Sequence, residues 1–450
     1  MTLTRELLEF SLGGTLLLIA FWQFKGSLKN RKDITLIDIS IWITGTSFGL
    51  APFILFLYGG QFPEAKLTYV FMSYLGIILF ISGLLVIKKY FKKTFRVNKS
   101  LSDILIKVNN INPKQVLVFY SAFFIVRAVF AFSYGIFSSG TATIERIQSL
   151  PYYLFVSRSL LDLVFWGCIF WSFVKILSDK KLTLLPSLIL IIEILLIFFR
   201  GRRQMLYFVF LFIYIYILLG YKINLKVLIP SAAIVIIMVN IIFPYFLSFR
   251  EISLGSKNNL NLLENYSYSY YTLSQTGIDK YRYEKNIADR VYINNWNIDI
   301  ISKSSLFSGL NGQALFSSII WVIPSPLFPY KSLLKEPEYL INYNFGLSLK
   351  DSPSNWPGYG FADFGLLGGL FYGLLLGLFL SLSQSFANFN LRKFPLLSFI
   401  ILGSVSFLAF FIEESPVAAF SVLRDIILLY FIFNFFYLFR MKKSKRLITF

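Results

Sequence analysis

The chain has 450 residues, of which 56% are hydrophobic, 19% aromatic and only 15% charged, and its mean hydropathy is +0.66. This composition excludes a soluble globular domain and indicates a polytopic integral membrane protein. The formal net charge of +20 would point to nucleic acid in a soluble protein. In a membrane protein its distribution matters more, and we expect no nucleic-acid partner.

Eleven apolar segments are candidates to cross a bilayer as helices, which takes about 20 apolar residues each. We predict an all-α protein with about 11 transmembrane helices, at about 8–24, 35–59, 67–87, 115–137, 151–174, 183–199, 204–220, 227–247, 361–385, 395–412 and 417–439. The first segment lacks a preceding basic region and a cleavage site, so we expect an uncleaved helix. A rival topology would omit the shortest segment, 183–199.

Basic residues in the short connections predict the orientation. One side of the predicted topology carries 24 lysines and arginines, whereas the other carries Arg5, Lys66, Arg146 and one arginine cluster. Because basic loops stay cytoplasmic, we expect the N-terminus outside and the C-terminus inside. The long polar segment 248–360 then forms an outer loop between residues 1–247, with eight helices, and residues 361–450, with three helices and a basic tail.

Two further segments predict local structure around the loop. Residues 306–322 predict an amphipathic helix at the outer interface, ended by the prolines at 324, 326 and 329. Gly365, Gly369, Gly373 and Gly377 recur every four residues, which predicts a helix face that a neighbouring helix approaches closely.

The residue types limit the chemistry. Histidine is absent, and the only cysteine, Cys168, lies within an apolar segment. Intrachain disulfides and histidine- or cysteine-based metal sites are therefore excluded. Carboxylates, arginines, lysines and tyrosines remain for catalysis.

An arginine cluster stands out on the outer side, where basic residues are few. Arg200 and Arg203 are three residues apart and share a helix face, while Arg202 points elsewhere. Guanidinium groups match phosphate oxygens as forked donors, so we interpret the cluster as a phosphate site. Contact with lipid headgroups and a different topology are the alternatives.

Charged residues within apolar segments call for partners or a function. Arg158 and Asp162 are four residues apart, and we expect them to pair. Arg127, Glu193 and Arg424 have no opposite charge three or four residues away, and Asp425 would point off the helix face of Arg424. We expect Arg158, Glu193 and Arg424 in the outer half, lining a cavity open to the outside.

Residues 323–377 resemble the O-antigen and capsule repeat-unit polymerases, the Wzy family. The resemblance lies in a proline-rich turn with Lys331, a serine-containing polar stretch, and Tyr359 and Asp363 before a phenylalanine and a glycine-rich segment. It implies a GT-C-like glycosyltransferase at the outer face of the bacterial cytoplasmic membrane. The related ligases use a histidine, which this chain lacks.

The resemblance implies that a growing glycan on undecaprenyl diphosphate is transferred to a lipid-linked repeat unit, without a nucleotide sugar. Because arginines would supply the positive charge, we expect no cofactor or metal. We predict that arginines stabilise the leaving diphosphate, with Arg200, Arg203 and Arg250 first and Arg158 and Arg424 next. Asp351 or Asp363 is the predicted base, with Glu251 and Glu413 as alternatives. If charge stabilisation dominates, no base is essential. Further predicted substrate contacts are Arg202, Arg290, Lys331, Tyr359 and Glu413. Expected partners are membrane lipids, a chain-length regulator and a flippase.

Two other functions fit parts of the same pattern. A lipid-linked oligosaccharide flippase or another transporter would also show apolar segments with buried arginines, but would need charges along the whole membrane path. A GT-C enzyme that uses a lipid-monophosphate sugar would need a carboxylate and a metal, and no Asp-x-Asp pair is present to hold one.

Overall fold

The structure is a computed structural model that describes residues 2–29, 34–57, 62, 64–94, 111–134, 152–181, 183–199, 205–219, 221, 225–238, 292–304, 309–324, 326–347, 354–411 and 415–447. Within these ranges the regular elements are all helical, which confirms the all-α prediction. The α-helices are α1 (Thr2–Lys29), α2 (Leu36–Leu57), α3 (Leu67–Thr94), α4 (Pro113–Tyr134), α5 (Tyr152–Asp179), α6 (Leu184–Phe199), α7 (Met205–Leu218), α8 (Leu225–Ile237), α9 (Asn294–Lys303), α10 (Gln313–Val322), α11 (Pro337–Asn344), α12 (Trp356–Phe364), α13 (Leu366–Asn390), α14 (Pro395–Phe410) and α15 (Pro416–Leu447).

Six helices are long and apolar enough to cross a membrane, which supports the predicted transmembrane character. Their candidate spans are Thr4–Ser27, Leu36–Leu57, Leu67–Tyr90, Val156–Asp179, Leu366–Asn390 and Pro416–Phe435. Shorter apolar helices, among them Leu184–Leu196 and Pro395–Phe410, occupy other predicted segments. The number of eleven crossings therefore stays a prediction.

Polar contacts define two ends of the helix bundle. At the loop end, Glu9 in the second turn of α1 accepts a hydrogen bond from Tyr74 at 2.9 Å, and another from Tyr292, which precedes α9. At the lysine end, Asp38 near the start of α2 forms an ion pair with Lys88, late in α3, at 2.5 Å. Successive helices α1, α2 and α3 therefore run in alternating directions.

Helices α13 and α15 follow the direction of α1. Late in α13, the side chain of Gln384 accepts a hydrogen bond from the Leu36 N–H at the lysine end, at 3.2 Å. Lys393, which follows α13, donates at 2.9 Å to Asn434, near the end of the candidate span in α15. The short helices α9 to α12 precede α13 in the chain and lie at the opposite end, the loop end.

Glycines bring α3 and α13 into close contact, as the four-residue period predicts. A Cβ on Gly373 would lie 2.1 Å from the Phe80 carbonyl oxygen, and one on Gly369 would lie 2.3 Å from the Gly76 carbonyl oxygen. The period is broken at its first member, however. Gly365 has φ +59° and forms the turn between α12 and α13, so it does not share the glycine face.

The boundary between the loop and the following helix also differs from the prediction. The sequence places the start of a span at 361, but residues 356–364 form the separate helix α12, and α13 begins at Leu366. Asn355 caps α12 through a hydrogen bond from the Gly358 N–H at 2.9 Å. Gly365 permits the sharp turn because only glycine adopts positive φ without steric cost.

Candidate functional site

The short helix α10 organises the described part of the loop. It spans Gln313–Val322, within the predicted amphipathic segment, and it ends before Pro324. Gly312 has φ +85°, so glycine is suited to the turn that starts the helix. α10 packs against α15, α11 and α12. Its two ends contact three of the predicted site residues: Asp363 at the N-terminus, and Lys331 and Arg424 at the C-terminus.

A buried carboxylate holds the N-terminus of α10. Asp363, at the end of α12, accepts hydrogen bonds from the N–H groups of Ala314 and Leu315, both at 2.9 Å. Tyr372 donates a third at 2.6 Å. Helix N-terminal N–H groups lack partners within the helix, so Asp363 acts as a cap supplied from another part of the chain.

The surroundings of Asp363 have opposing effects on its protonation. Burial raises the pKa of Asp363 above its ordinary value, while the hydrogen bonds from Tyr372, Ala314 and Leu315 lower it. Three donors already occupy the carboxylate, which leaves about one of its four acceptor positions for a further proton donor. Its role as a catalytic base stays a prediction that this geometry does not favour.

Two cations meet at the C-terminus of α10. Lys331, in a 3-10 helix at Pro329–Leu333, donates to the Trp321 carbonyl oxygen and, at 3.4 Å, to that of Ile323. Arg424 of α15 donates from Nη1 to the Val322 carbonyl oxygen at 3.2 Å. Burial, and then the nearby Arg424 charge, lower the pKa of Lys331 to about 8.

The contacts of Arg424 overturn one expectation. Its Nε donates to Asp425 Oδ1 at 2.7 Å, although adjacent residues point to different helix faces. The long arginine side chain is able to fold back to its neighbour, which a rigid helical-wheel argument ignores. Asp425 is fully buried and also accepts a hydrogen bond from Ser159 of α5, so this pair links α15 to α5.

A second ion pair joins helices within the bundle. Arg127 Nη1 of α4 lies 2.8 Å from Glu193 Oε2 of α6, and Tyr120 donates to the same carboxylate at 2.8 Å. The Arg127 guanidinium also lies 4.0 Å from the centroid of the Phe165 ring. These residues had no partner nearby in sequence, and the tertiary structure supplies one.

Arg158 and Asp162 do not form the expected ion pair in the described structure, where Asp162 lies within electrostatic range of both Arg127 and Asp425. The Asp162 charge therefore attracts Arg127 and repels Asp425. Arg158 is half-buried one turn away on the same helix.

Two glutamates that the sequence interpretation missed lie beside Tyr359. Glu338, in the first turn of α11, accepts a hydrogen bond from Ser354 at 3.3 Å. Burial and then the neighbouring Glu336 raise the pKa of Glu338. Tyr359 is buried, and burial and then Glu338 raise its pKa well above the ordinary value. The available sequence signal is the acidic pair on either side of Pro337.

The start of α11 is tied directly to α10. The Lys335 carbonyl oxygen accepts hydrogen bonds from Ser317 at 2.7 Å and from the Trp321 indole N–H at 3.1 Å. Trp321 thus contacts Lys335 through its side chain and Lys331 through its carbonyl oxygen. Glu336 and Glu338 therefore lie at the start of a helix that is hydrogen-bonded to α10.

The remaining predicted site residues lie outside the described ranges. They are Arg200, Arg202, Arg203, Arg250, Glu251, Arg290, Asp351 and Glu413. In the part of the chain that the structure describes, histidine, cysteine, aspartate and glutamate form no group of three able to hold a metal ion. The metal-independent reaction stays a prediction.

Comparisons with known proteins give no match for this chain: no family model, no curated protein and no solved structure. The resemblance to the polymerases thus depends on the residues of the segment 323–377 and on the overall layout. The described geometry of Lys331 and Arg424 is the remaining guide to function.

Proposed function

We propose that this protein is a polysaccharide polymerase that joins undecaprenyl-diphosphate-linked oligosaccharide repeat units at the outer face of a bacterial cytoplasmic membrane. It would have about eleven spans in a GT-C-like arrangement, with the loop end outside and the lysine end in the cytoplasm. The placement of Lys88 and Lys393 at the lysine end supports this orientation, because basic residues favour the cytoplasmic side.

The convergence of Lys331 and Arg424 carries the proposal. A helix C-terminus has about half a negative charge, and two cationic side chains donate to carbonyl oxygens at the end of α10. Asp425 also pairs with Arg424. Lysine and arginine are common donors to phosphate oxygens, so an anionic group such as a lipid diphosphate is a suitable ligand for this pair of cations.

In the proposed reaction, a hydroxyl of the acceptor sugar attacks the anomeric carbon of the donor glycan. The bond from that carbon to the diphosphate oxygen breaks, and the electron pair leaves with undecaprenyl diphosphate. Lys331 and Arg424 are held in place by the backbone of α10, so they stabilise the developing negative charge without rearranging. Arg158, Arg200, Arg203 and Arg250 remain predicted contributors.

The direct test is reconstitution of the full chain in liposomes with undecaprenyl-diphosphate-linked repeat units and a metal chelator. We expect a ladder of polymerised glycan on a gel. Absence of a ladder with the wild-type protein, under conditions in which the substrate remains intact, would contradict the proposal.

A flippase is the second candidate, and the Arg127–Glu193 ion pair within the bundle favours it. Charged residues inside a membrane segment often mark a transport path, and Arg127 and Glu193 pair at 2.8 Å between α4 and α6. The same liposomes distinguish the two functions. Movement of the lipid-linked unit between leaflets, without a ladder, would identify transport.

A further inference from the structure

We propose that residues 326–334, between α10 and α11, insert as an apolar turn into the membrane leaflet on the loop-end side. The partner of this surface is the lipid bilayer itself. The inference does not depend on the proposed polymerase function, because it concerns only where this part of the loop lies.

The apolar turn exposes three large side chains. Leu327 is 75% exposed, Tyr330 69% and Leu333 79%. They lie within seven consecutive residues, and Lys331 is the only charged residue between Val322 and Lys335. A concentration of exposed apolar surface marks a place that a partner or a membrane covers.

The single charged residue of the turn is directed toward α10. Lys331 donates to the carbonyl oxygens of Trp321 and Ile323, and its ammonium lies 5.2 Å from the centroid of the Trp321 ring. The charged end of this side chain is therefore held at the C-terminus of α10. The exposed residues that the structure describes in the turn are all uncharged.

The contacts of α10 place the start of the turn beside a candidate membrane span. Val322, the last residue of α10, accepts a hydrogen bond from Arg424 at 3.2 Å, and Arg424 lies within the candidate span Pro416–Phe435. It follows Pro416 by eight residues, which is about 12 Å along the helix axis. Helical side chains lean toward the N-terminus of their helix, so the contact is less deep than the Arg424 Cα but still alongside the span.

A second span indicates a similar level. Asp425, the neighbour of Arg424, accepts a hydrogen bond from Ser159 of α5. Ser159 lies within the candidate span Val156–Asp179 and follows the first residue of α5 by seven residues, or about 10 Å. The chain therefore leaves α10 beside two candidate spans and not beyond their ends.

The backbone of the turn suits an apolar environment, because hydrocarbon offers no partner to a free N–H or C=O group. Pro326 and Pro329 carry no N–H. Four other N–H groups donate to nearby backbone carbonyl oxygens, namely those of Leu327, Phe328, Lys331 and Leu334. At the end of α10, Lys331 and Arg424 supply donors to carbonyl oxygens that water would otherwise satisfy.

The residues after the turn fit the headgroup region. Tyr339 and Tyr343 of α11 are exposed and stacked, with an interplanar angle of 18°. The exposed Lys335 places its ammonium 3.1 Å from the centroid of the Tyr343 ring. Tyrosine and lysine are typical of membrane interfaces, where their apolar parts face lipid and their polar ends face water or phosphate. An apolar turn followed by this group matches a segment seated at the interface.

The test uses spin labels on single cysteines in the full chain, reconstituted in liposomes. Leu327→Cys and Leu333→Cys are made in a Cys168→Ala background and exposed to oxygen, which concentrates in hydrocarbon, and to a nickel chelate, which stays in water. At both positions, we expect the ratio of oxygen to chelate collisions to exceed that of Glu64→Cys by about tenfold or more, because hydrocarbon excludes polar solutes.

Two positions calibrate the measurement. Glu64 is exposed and precedes α3 at the loop end, so Glu64→Cys is the aqueous control. Phe431 is 64% exposed within the candidate span of α15, so Phe431→Cys is the lipid control. If Leu327→Cys does not fold, Tyr330→Cys replaces it and should also give a higher ratio than the aqueous control.

Ratios at Leu327 and Leu333 equal to that at Glu64 would place the turn in water and overturn the inference. Low collision rates with both reagents would show that protein covers the turn, which also overturns it. Neither result requires polymerase activity, so failure of this inference is distinguishable from failure of the proposed function.

Discussion

The two ends of α10 are held by opposite charges in different ways. At the N-terminus, one buried carboxylate, Asp363, is occupied by two backbone N–H groups and Tyr372. At the C-terminus, Lys331 and Arg424 both donate to carbonyl oxygens, and Arg424 also pairs with Asp425. The comparison separates a carboxylate whose donors belong to the fold from two cations at the opposite helix end, where we propose that an anionic ligand binds.

Removing the Arg424 cation from the C-terminus of α10 should lower turnover more than any of the other changes. Arg424→Ala alone would leave Asp425 buried without its partner, which is itself destabilising, so the variant to use is Arg424→Ala with Asp425→Asn. We expect turnover to fall by about 10²- to 10³-fold, as when one transition-state donor is lost. Gel quantification of the glycan ladder measures the effect.

The matched control is Asp425→Asn by itself, which retains the Arg424 cation and should keep turnover within a few-fold. Equal losses in the single and double variants would show that Arg424 acts through packing and not through its charge.

Asp363→Asn tests the cap at the N-terminus of α10. The variant weakens hydrogen bonds to Ala314, Leu315 and Tyr372, so we expect the free energy of unfolding to fall by about 1–3 kcal/mol. Thermal unfolding in detergent measures this loss. Turnover per folded molecule should fall far less than in the Arg424 double variant. A loss of 10²-fold with an unchanged unfolding midpoint would instead establish Asp363 as the base.

Tyr372→Phe makes a smaller change at the same end. It removes one of three donors to Asp363 and leaves the backbone caps in place, so the expected destabilisation is about 1 kcal/mol. Thermal unfolding of both variants checks that Tyr372→Phe loses less stability than Asp363→Asn. A larger loss of stability for Tyr372→Phe would contradict the account of the cap.

Lys331→Arg should have the smallest effect at neutral pH and the clearest effect at alkaline pH. Because the pKa of Lys331 is lowered to about 8, the wild type loses this charge, and kcat/KM should decline, as pH rises through that value. Arginine stays protonated, so the variant should lack the decline. Profiles of kcat/KM against pH for both proteins measure the difference, and identical profiles would remove Lys331 from the site.

Local sequence patterns predicted several features correctly. Apolar segments predicted the long helices, because a helix that crosses a membrane must carry enough apolar residues in one continuous stretch. The glycine period predicted the close approach of α3 and α13, since Gly369 and Gly373 share a face. The same rule failed at Gly365, where positive φ ends one helix and starts another.

Charge pairing was harder to predict because the partners are distant in sequence. Arg127 and Glu193 are 66 residues apart, and Ser159 and Asp425 are 266 apart. The role of Asp363 depends on Ala314, 49 residues earlier. Spacing rules for helices describe neighbours within about one turn, so they cannot identify partners on different helices.

The sequence by itself determined the membrane character, the all-helical class and the residue types left for chemistry, because these follow from composition and local hydropathy. Only the tertiary structure decided which charges meet. It placed Asp363 in a cap, Lys331 beside Arg424, and Glu338 beside Ser354. The physical reason is that electrostatic and hydrogen-bond energies depend on distances in space, which are fixed only when the helices pack.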